Sequence, residues 1–360
     1  MKFIQVLPSL ALGDAVGNDV LAIRKILREA GYDECIYAEG LGTRIPRDKV
    51  YPIQSEWQEP APDDVIIYHL SIGWIYLSKI REARCRKIAV YHNVTPASWF
   101  RPYSTRLYNT CRAGVEEVKS ISDLFDYCLA DSEFNKQDLI SYGYTCPIDV
   151  VPILVPMDDY RQKPDRKVLK QFSQTKGANI VFIGRIAPNK KQEDLIAAFS
   201  LYQKYYDSDA KLFLVGSTES KDAYYDRLLR YVDALEVRNV YFTGHVTFQE
   251  ILAYYSLADV FLCMSEHEGF CVPLVEAMLF QVPIIAYDAG AVGGTLGEGG
   301  ILLREKDPLF TAGLCDRLIR DQALREKILS GQKQVLAKFR YESVRDLLLA
   351  DLRAFLQDHT

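Results

Sequence analysis

The sequence predicts an α/β fold of two doubly wound, Rossmann-like domains facing a central cleft. Three observations carry this. Short apolar, β-branched runs alternate with helical patterns along the whole chain. The runs are apolar on both faces, as strands of a parallel sheet covered by helices must be. At 360 residues the chain also exceeds what one core organises, so it divides.

The first half supplies KFIQVLPSL, ECIYAEG, DVIIYHLS, RKIAVYHNV, YCLADS and IDVVPIL as strands. After the first of them, NDVLAIRKILREAGY sets Val20, Ile23, Leu27 and Ala30 on one stripe at helical spacing. The polar, proline-bearing stretch MDDYRQKPDRKVLK then separates a first domain, 1–160, from a second, 165–340. The second half supplies ANIVFIGR, KLFLVGS, NVYFTGH, DVFLCMS, VPIIAYDAG and GGILLR, with QEDLIAAFSLYQKYY among its helices. A last amphipathic helix within 341–360 either finishes the second domain or joins the first; the sequence leaves both open.

Bulk properties exclude several functions. A net charge of −5 argues against a nucleic-acid partner. Eight cysteines without a C-x-x-C pair suit reduced thiols in a cytoplasm better than zinc ligands or disulfides. MKFIQVLPSL reads as a first buried strand rather than a signal peptide. No segment approaches the roughly 20 apolar residues that span a bilayer. A P-loop is missing, and Gly13 and Gly17 alone are a weak dinucleotide signal.

In open parallel sheets, ligands bind at the carboxyl ends of the strands, near helix N termini. The unusual residues gather there. Gly13-Asp14 follows the first strand, His69 and His92 close two others, and Gly184-Arg185 closes the first strand of the second half. His245, with Val246 after it, and Glu268 hold equivalent places further on. In GRIAPNK, Arg185 leaves a strand and Lys190 enters a helix, so both cations converge above one helix N terminus, a place for a diphosphate. In EHEGFCVPLVEAM, the amides from Gly269 to Leu274, Pro273 excepted, form an anion site at the start of a helix, flanked by Glu268 and Glu276. Glu276 could simply complement the helix dipole; Glu268 has no such structural role. Two carboxylates beside a phosphate site suit a sugar and a ribose.

These motifs resemble the retaining family-4 glycosyltransferases of GT-B fold: Glu268-x7-Glu276, preceded some 80 residues upstream by G-R-x-x-P-x-K over Gly184–Lys190. The likeness covers the second half and, more loosely, the first. It implies that Arg185 and Lys190 bind the donor diphosphate, that Glu276 holds the ribose hydroxyls, and that Glu268 contacts the donor sugar. Amides of Phe270, Cys271 and Val272 would lie near sugar or phosphates, with Gly269 and Leu274 beside them. His92 resembles a first-domain histidine bordering the reacting sugar, with His69 a second candidate; Gly13 and Asp14 match the first loop. One departure is Cys271, where family members often carry glycine, which is expected to narrow the sugar pocket.

The expected reaction moves a hexose, such as mannose or glucose, from a UDP- or GDP-sugar to a polysaccharide or lipid-linked glycan with retention of configuration. The leaving diphosphate needs preorganised cations and amides, which Arg185, Lys190 and the helix N terminus supply. No metal or cofactor is expected, since Asp207-Ser208-Asp209 falls at the wrong strand end and reads as a turn. Residues 79–112 carry eight basic residues (Lys79, Arg81, Arg84, Arg86, Lys87, Arg101, Arg106, Arg112) against Glu82, with Trp99, Phe100 and Tyr103 among them. They suggest an anionic membrane surface at the inner face. The alternatives are a sugar-nucleotide epimerase of the same shape and a non-catalytic binding subunit.

Overall fold

A computed structural model describes residues 1–11, 13–218 and 223–357. The chain folds as two units. The first contains Met1–Ser98, Arg106–Pro156 and the chain from Phe339; the second contains Trp99–Thr105 and Met157–Lys338. Two short segments therefore depart from the boundaries expected at 160 and 165. Trp99–Thr105 joins the second unit because Tyr103 accepts a hydrogen bond from Arg227 and stands edge-on to Tyr224, 5.2 Å between centroids. The segment after Met157 joins it because Tyr160 packs edge-on against Phe248 at 5.1 Å.

The first unit is built on seven parallel strands: β1 (Lys2–Leu10), β2 (Asp33–Leu41), β3 (Val50–Pro52), β4 (Val65–Leu70), β5 (Arg86–Tyr91), β6 (Tyr127–Ala130) and β7 (Ile148–Val150). Their order is β3-β2-β1-β4-β5-β6-β7. Helix α1 (Ala15–Glu29) follows β1, and Asp14 at its N-cap accepts from the Gly17 amide. One sheet face, with Phe3, Val65, Ile67, Ile88 and Leu129, packs on Ile23, Ile26 and Leu27 of α1. The same cluster includes Val344, Leu348, Leu352 and Phe355 of the C-terminal helix Tyr341–Gln357. That helix belongs to the first unit because its apolar stripe closes this face, each buried side chain contributing about 1.5–3 kcal/mol. Residues 358–360 lie outside the described residues. The opposite face, with Ile4, Ile66, Tyr68, Ala89 and Tyr91, is buried as well, which is why these strands read as continuous apolar runs.

The second unit has six parallel strands: β8 (Asn179–Ile183), β9 (Lys211–Val215), β10 (Val240–Phe242), β11 (Val260–Cys263), β12 (Ile284–Tyr287) and β13 (Ile301–Leu303). Their order is β10-β9-β8-β11-β12-β13. Three of its helices bear on the site: α2 (Gln192–Tyr205), α3 (Phe248–Leu257) and α4 (Val272–Leu279). Strand order reverses between β1 and β4 in one unit and between β8 and β11 in the other, the switch points at which such sheets take ligands. Asp207-Ser208-Asp209 forms a turn before β9, in which Asp207 accepts from the Ala178 and Asp209 amides. Among the described residues no helix is long and apolar enough to cross a membrane.

Candidate active site

At the switch point of the second unit, the loops after β8 and β11 are stitched together by Asn189. This residue is buried; its carbonyl accepts from the Glu266 amide at 2.8 Å, and its Nδ2 donates to the His267 carbonyl at 3.1 Å. The brace brings Lys190, on the turn Pro188–Lys190, to Glu268: Nζ and Oε1 are 2.6 Å apart. From the loop after β12, the Ala291 amide donates to the Glu268 carbonyl at 2.9 Å. Gly290, at φ +57°, makes that approach possible, since a Cβ there would stand 2.6 Å from the same oxygen. Arg185 is exposed; its carbonyl is held by Gln192 Nε2 at 3.0 Å. Its guanidinium has no partner among the described residues.

Glu276 lies midway along α4 rather than in its first turn. Tyr255 of α3 donates to its Oε2 at 2.7 Å, and Tyr160 donates to Oε1. Desolvation raises the carboxyl pKa, and the two hydroxyl hydrogen bonds pull it back only in part.

In the first unit, His69, His92 and Asp131 close β4, β5 and β6 and form one buried chain. His69 Nδ1 is 2.9 Å from His92 Nε2, and His92 Nδ1 is 2.9 Å from Asp131 Oδ2. Gln5 of β1 completes it, with Oε1 3.0 Å from His69 Nε2.

Residues 165–335 match the family model described as glycosyl transferases group 1. Among curated proteins, the chain is 28% identical over 203 residues to a capsular polysaccharide biosynthesis glycosyltransferase, CapM, of Staphylococcus aureus. That alignment covers 55% of this chain and 52% of CapM. It is 27% identical over 256 residues to a GDP-mannose-dependent alpha-(1-6)-phosphatidylinositol monomannoside mannosyltransferase of Mycobacterium tuberculosis, covering 67% of this chain and 64% of that one. The chain spans about half the length of the first curated relatives it matches. Among solved structures, Anabaena HepE in complex with UDP and glucose superposes with a TM-score of 0.75 at 18% identity, covering 98% of this chain and 100% of that one. A Rickettsia africae glycosyltransferase gives 0.73 at 17% identity, covering 99% and 98%. The fold, two parallel-sheet Rossmann-like units, is GT-B.

Within residues 165–335, several expectations are corrected. The first turn of α2 is acidic. That turn is filled by its own acids: Glu193 pairs with Lys191 and Arg227, and Asp194 with Lys306 at 2.6 Å. Lys190 turns to Glu268 instead. The Leu274 amide leaves the anion-binding set, because it donates to the Cys271 carbonyl at 3.0 Å. Cys271 has the left-handed backbone (φ +73°) that favours glycine, yet its thiol is buried and hydrogen-bonded with Cys263 rather than projecting into open space. His245 is exposed and Val246 half-buried in the loop between β10 and α3. His267, next to Glu268, is kept neutral: desolvation and Lys190 outweigh Glu268 and bring its pKa to about 4.

Three further expectations change outside residues 165–335. Both ring nitrogens of His92 are taken by protein partners, and its side chain is 1% exposed. In the first loop it is Gly17 that permits close approach, to the chain itself: a Cβ there would stand 2.1 Å from the Ala11 carbonyl, whereas at Gly13 nothing lies near. The basic residues of 79–112 do not share one solvated face. Lys87 is buried with Nζ on the Ala83 and Cys85 carbonyls, and Arg86 caps the Phe355 carbonyl and ring.

Among the described residues, two groups bring possible metal-ligand atoms within 4.8 Å of one another: Asp19, His69 and His92, and Cys263, Glu268 and Cys271. In each, internal hydrogen bonds or ion pairs already engage the donors. Sequence reasoning missed Asn189, Tyr160, Tyr255, Gln5, Asp19 and Asp131. Only Asp131 carried a signal, as the acid closing YCLADS at the same rim as His69 and His92.

Proposed function

We propose that this protein transfers a hexose from a nucleotide sugar to a glycan or lipid-linked acceptor with retention of anomeric configuration. The observation that carries this is the Lys190–Glu268 pair at the β8–β11 switch point, with Arg185 on the same loop as Lys190 and Glu276 of the same domain dressed by hydroxyls. In this reading the donor diphosphate takes Lys190 from Glu268 and recruits Arg185. Glu268, released, accepts hydroxyls of the sugar, and the ribose displaces the Tyr160 hydroxyl from Glu276. As the bond from the anomeric carbon to the leaving oxygen breaks, negative charge grows on the diphosphate and the two cations stabilise it. The acceptor hydroxyl attacks from the same face and passes its proton to the leaving phosphate. The protein residues supply the charge required, and the reaction is proposed to need no metal.

Mannose or glucose is the proposed hexose. Its support is a relative named for GDP-mannose and a structural neighbour holding UDP and glucose. A thermal-shift panel of UDP-, GDP- and ADP-sugars tests the reading, because a ligand bound only by the native state raises the melting temperature. One donor family should stabilise selectively. A panel without any stabilisation would defeat the proposal.

A further inference from the structure

We propose that Cys263, Cys271 and Glu268 form a site for one zinc ion, which regulates the protein by engaging Glu268. All three belong to the second unit: Cys263 closes β11, Glu268 lies in the loop after it, and Cys271 caps the N terminus of α4. The spacing Cys263-x7-Cys271 is not that of a zinc finger or ribbon, so only the fold brings the two thiols together. Each residue offers one ligand atom, and the three atoms lie within 4.8 Å of one another. Around tetrahedral zinc, with sulfur at about 2.3 Å and oxygen at about 2.0 Å, ligand atoms stand about 3.5–3.8 Å apart. No pair here has more than about 1 Å to close to reach that spacing. Two sulfurs and one oxygen select zinc over magnesium or calcium, which take oxygen ligands.

The backbone supports a use for the second sulfur. Cys271 sits at φ +73° and ψ +63°, a left-handed conformation that glycine adopts freely and other residues only at a cost. Zinc requires thiolates, and two features favour them: the helix N terminus at Cys271, and Lys190 at 2.6 Å from Glu268. The bonds that now engage the donors are ones an ion can replace or keep. The hydrogen bond between Cys263 and Cys271 holds a proton that leaves when metal binds. The Ser265 hydroxyl, 3.5 Å from Cys263 Sγ, turns from acceptor to donor. Glu268 has two oxygens, so one stays on Lys190 while the other binds. In the Asp19–His69–His92 group, by contrast, all four ring nitrogens are held by Gln5, Asp131 and each other. Three protein ligands leave a fourth zinc position open, the arrangement of sites that bind an exchangeable ligand. The regulatory consequence rests on the transfer proposed above: a carboxylate held by zinc is withdrawn from the sugar hydroxyls.

Cobalt(II) is the probe, because tetrahedral cobalt bound to thiolate shows a sulfur-to-metal charge-transfer band and intense visible bands. In the full chain, stripped of metal and kept in a thiol-free reductant, one equivalent of cobalt should develop both, and zinc should bleach them. Cys263→Ala and Cys271→Gly should each weaken cobalt binding at least tenfold. Glycine suits the left-handed backbone, so Cys271→Gly keeps the fold, as circular dichroism checks. Glu268→Gln should weaken binding while the charge-transfer band remains. Cys146→Ser, in the thiol pair Cys128–Cys146 at 3.5 Å, should change nothing. Absence of the thiolate band overturns the proposal, as does a band lost in Cys146→Ser or an affinity unchanged in Cys263→Ala, Cys271→Gly or Glu268→Gln. In turnover of the donor found by the panel, zinc should inhibit the wild type and spare Cys263→Ala; equal inhibition of both overturns the regulatory role. If no nucleotide sugar is turned over, the transfer reading and the regulatory role fail, while the cobalt spectrum still decides the metal site.

Discussion

Lys190 Nζ and Glu268 Oε1 lie 2.6 Å apart, joining the loop after β8 to the loop after β11 across the point where strand order reverses. In the reaction proposed above, an anion claims the lysine and a hydroxyl claims the carboxylate. Lys190→Ala and Glu268→Gln are each expected to lower kcat about 100-fold, the scale of removing one preorganised charge-stabilising group. Steady-state kinetics with the identified donor measures this, with circular dichroism confirming that the fold is intact.

Asn189 should matter without touching a ligand. Asn189→Ala leaves the buried His267 carbonyl without its side-chain donor, at a cost of about 1–3 kcal/mol. A lower melting temperature is expected, together with a kcat reduced by less than in Lys190→Ala. An unchanged melting temperature would remove the brace from the account.

The two tyrosines on Glu276 should respond in opposite directions. Tyr255 is buried beneath the carboxylate and orients it, so Tyr255→Phe should raise the donor Kd. Tyr160 occupies the oxygen that the proposed ribose contact uses, so Tyr160→Phe should leave the donor Kd unchanged or lower it. Titration calorimetry with the two variants separates these outcomes. The raised carboxyl pKa adds a sign: donor affinity should fall as pH drops through it, at a pH above the ordinary glutamate value of 4.5.

The legible part of the molecule was its local part. Apolar runs gave the strands, and fixed spacings gave Arg185, Lys190, Glu268 and Glu276. Their partners were not legible, because strand order assigns them. Gln5, His69, His92 and Asp131 are far apart in sequence and meet only because β1, β4, β5 and β6 lie side by side. Tyr160 and Tyr255 reach Glu276 by the same long-range logic. The first turn of α2, beside the expected phosphate site, carries Glu193 and Asp194, which already complement the helix dipole, as the sequence itself shows.

Asp19 yields a prediction about stability. Burial raises its pKa from 3.8 to about 7, against the pull of His92. Between those values the folded state holds a proton that the unfolded state has lost. This group's contribution therefore declines as pH rises through that window. Asp19→Asn should flatten the decline, so that its gain relative to wild type is larger at pH 8 than at pH 4. Denaturant melts at both pH values test this; an equal effect at both would contradict it.

The most direct test of the central claim is isothermal titration of the protein with UDP-glucose, GDP-mannose and ADP-glucose, repeated on Arg185→Ala and Lys190→Ala. One nucleotide sugar should bind at a single site, with affinity at least tenfold weaker in each variant, a loss of about 1.4 kcal/mol. Absence of binding by all three, or binding that both variants retain in full, would contradict the account.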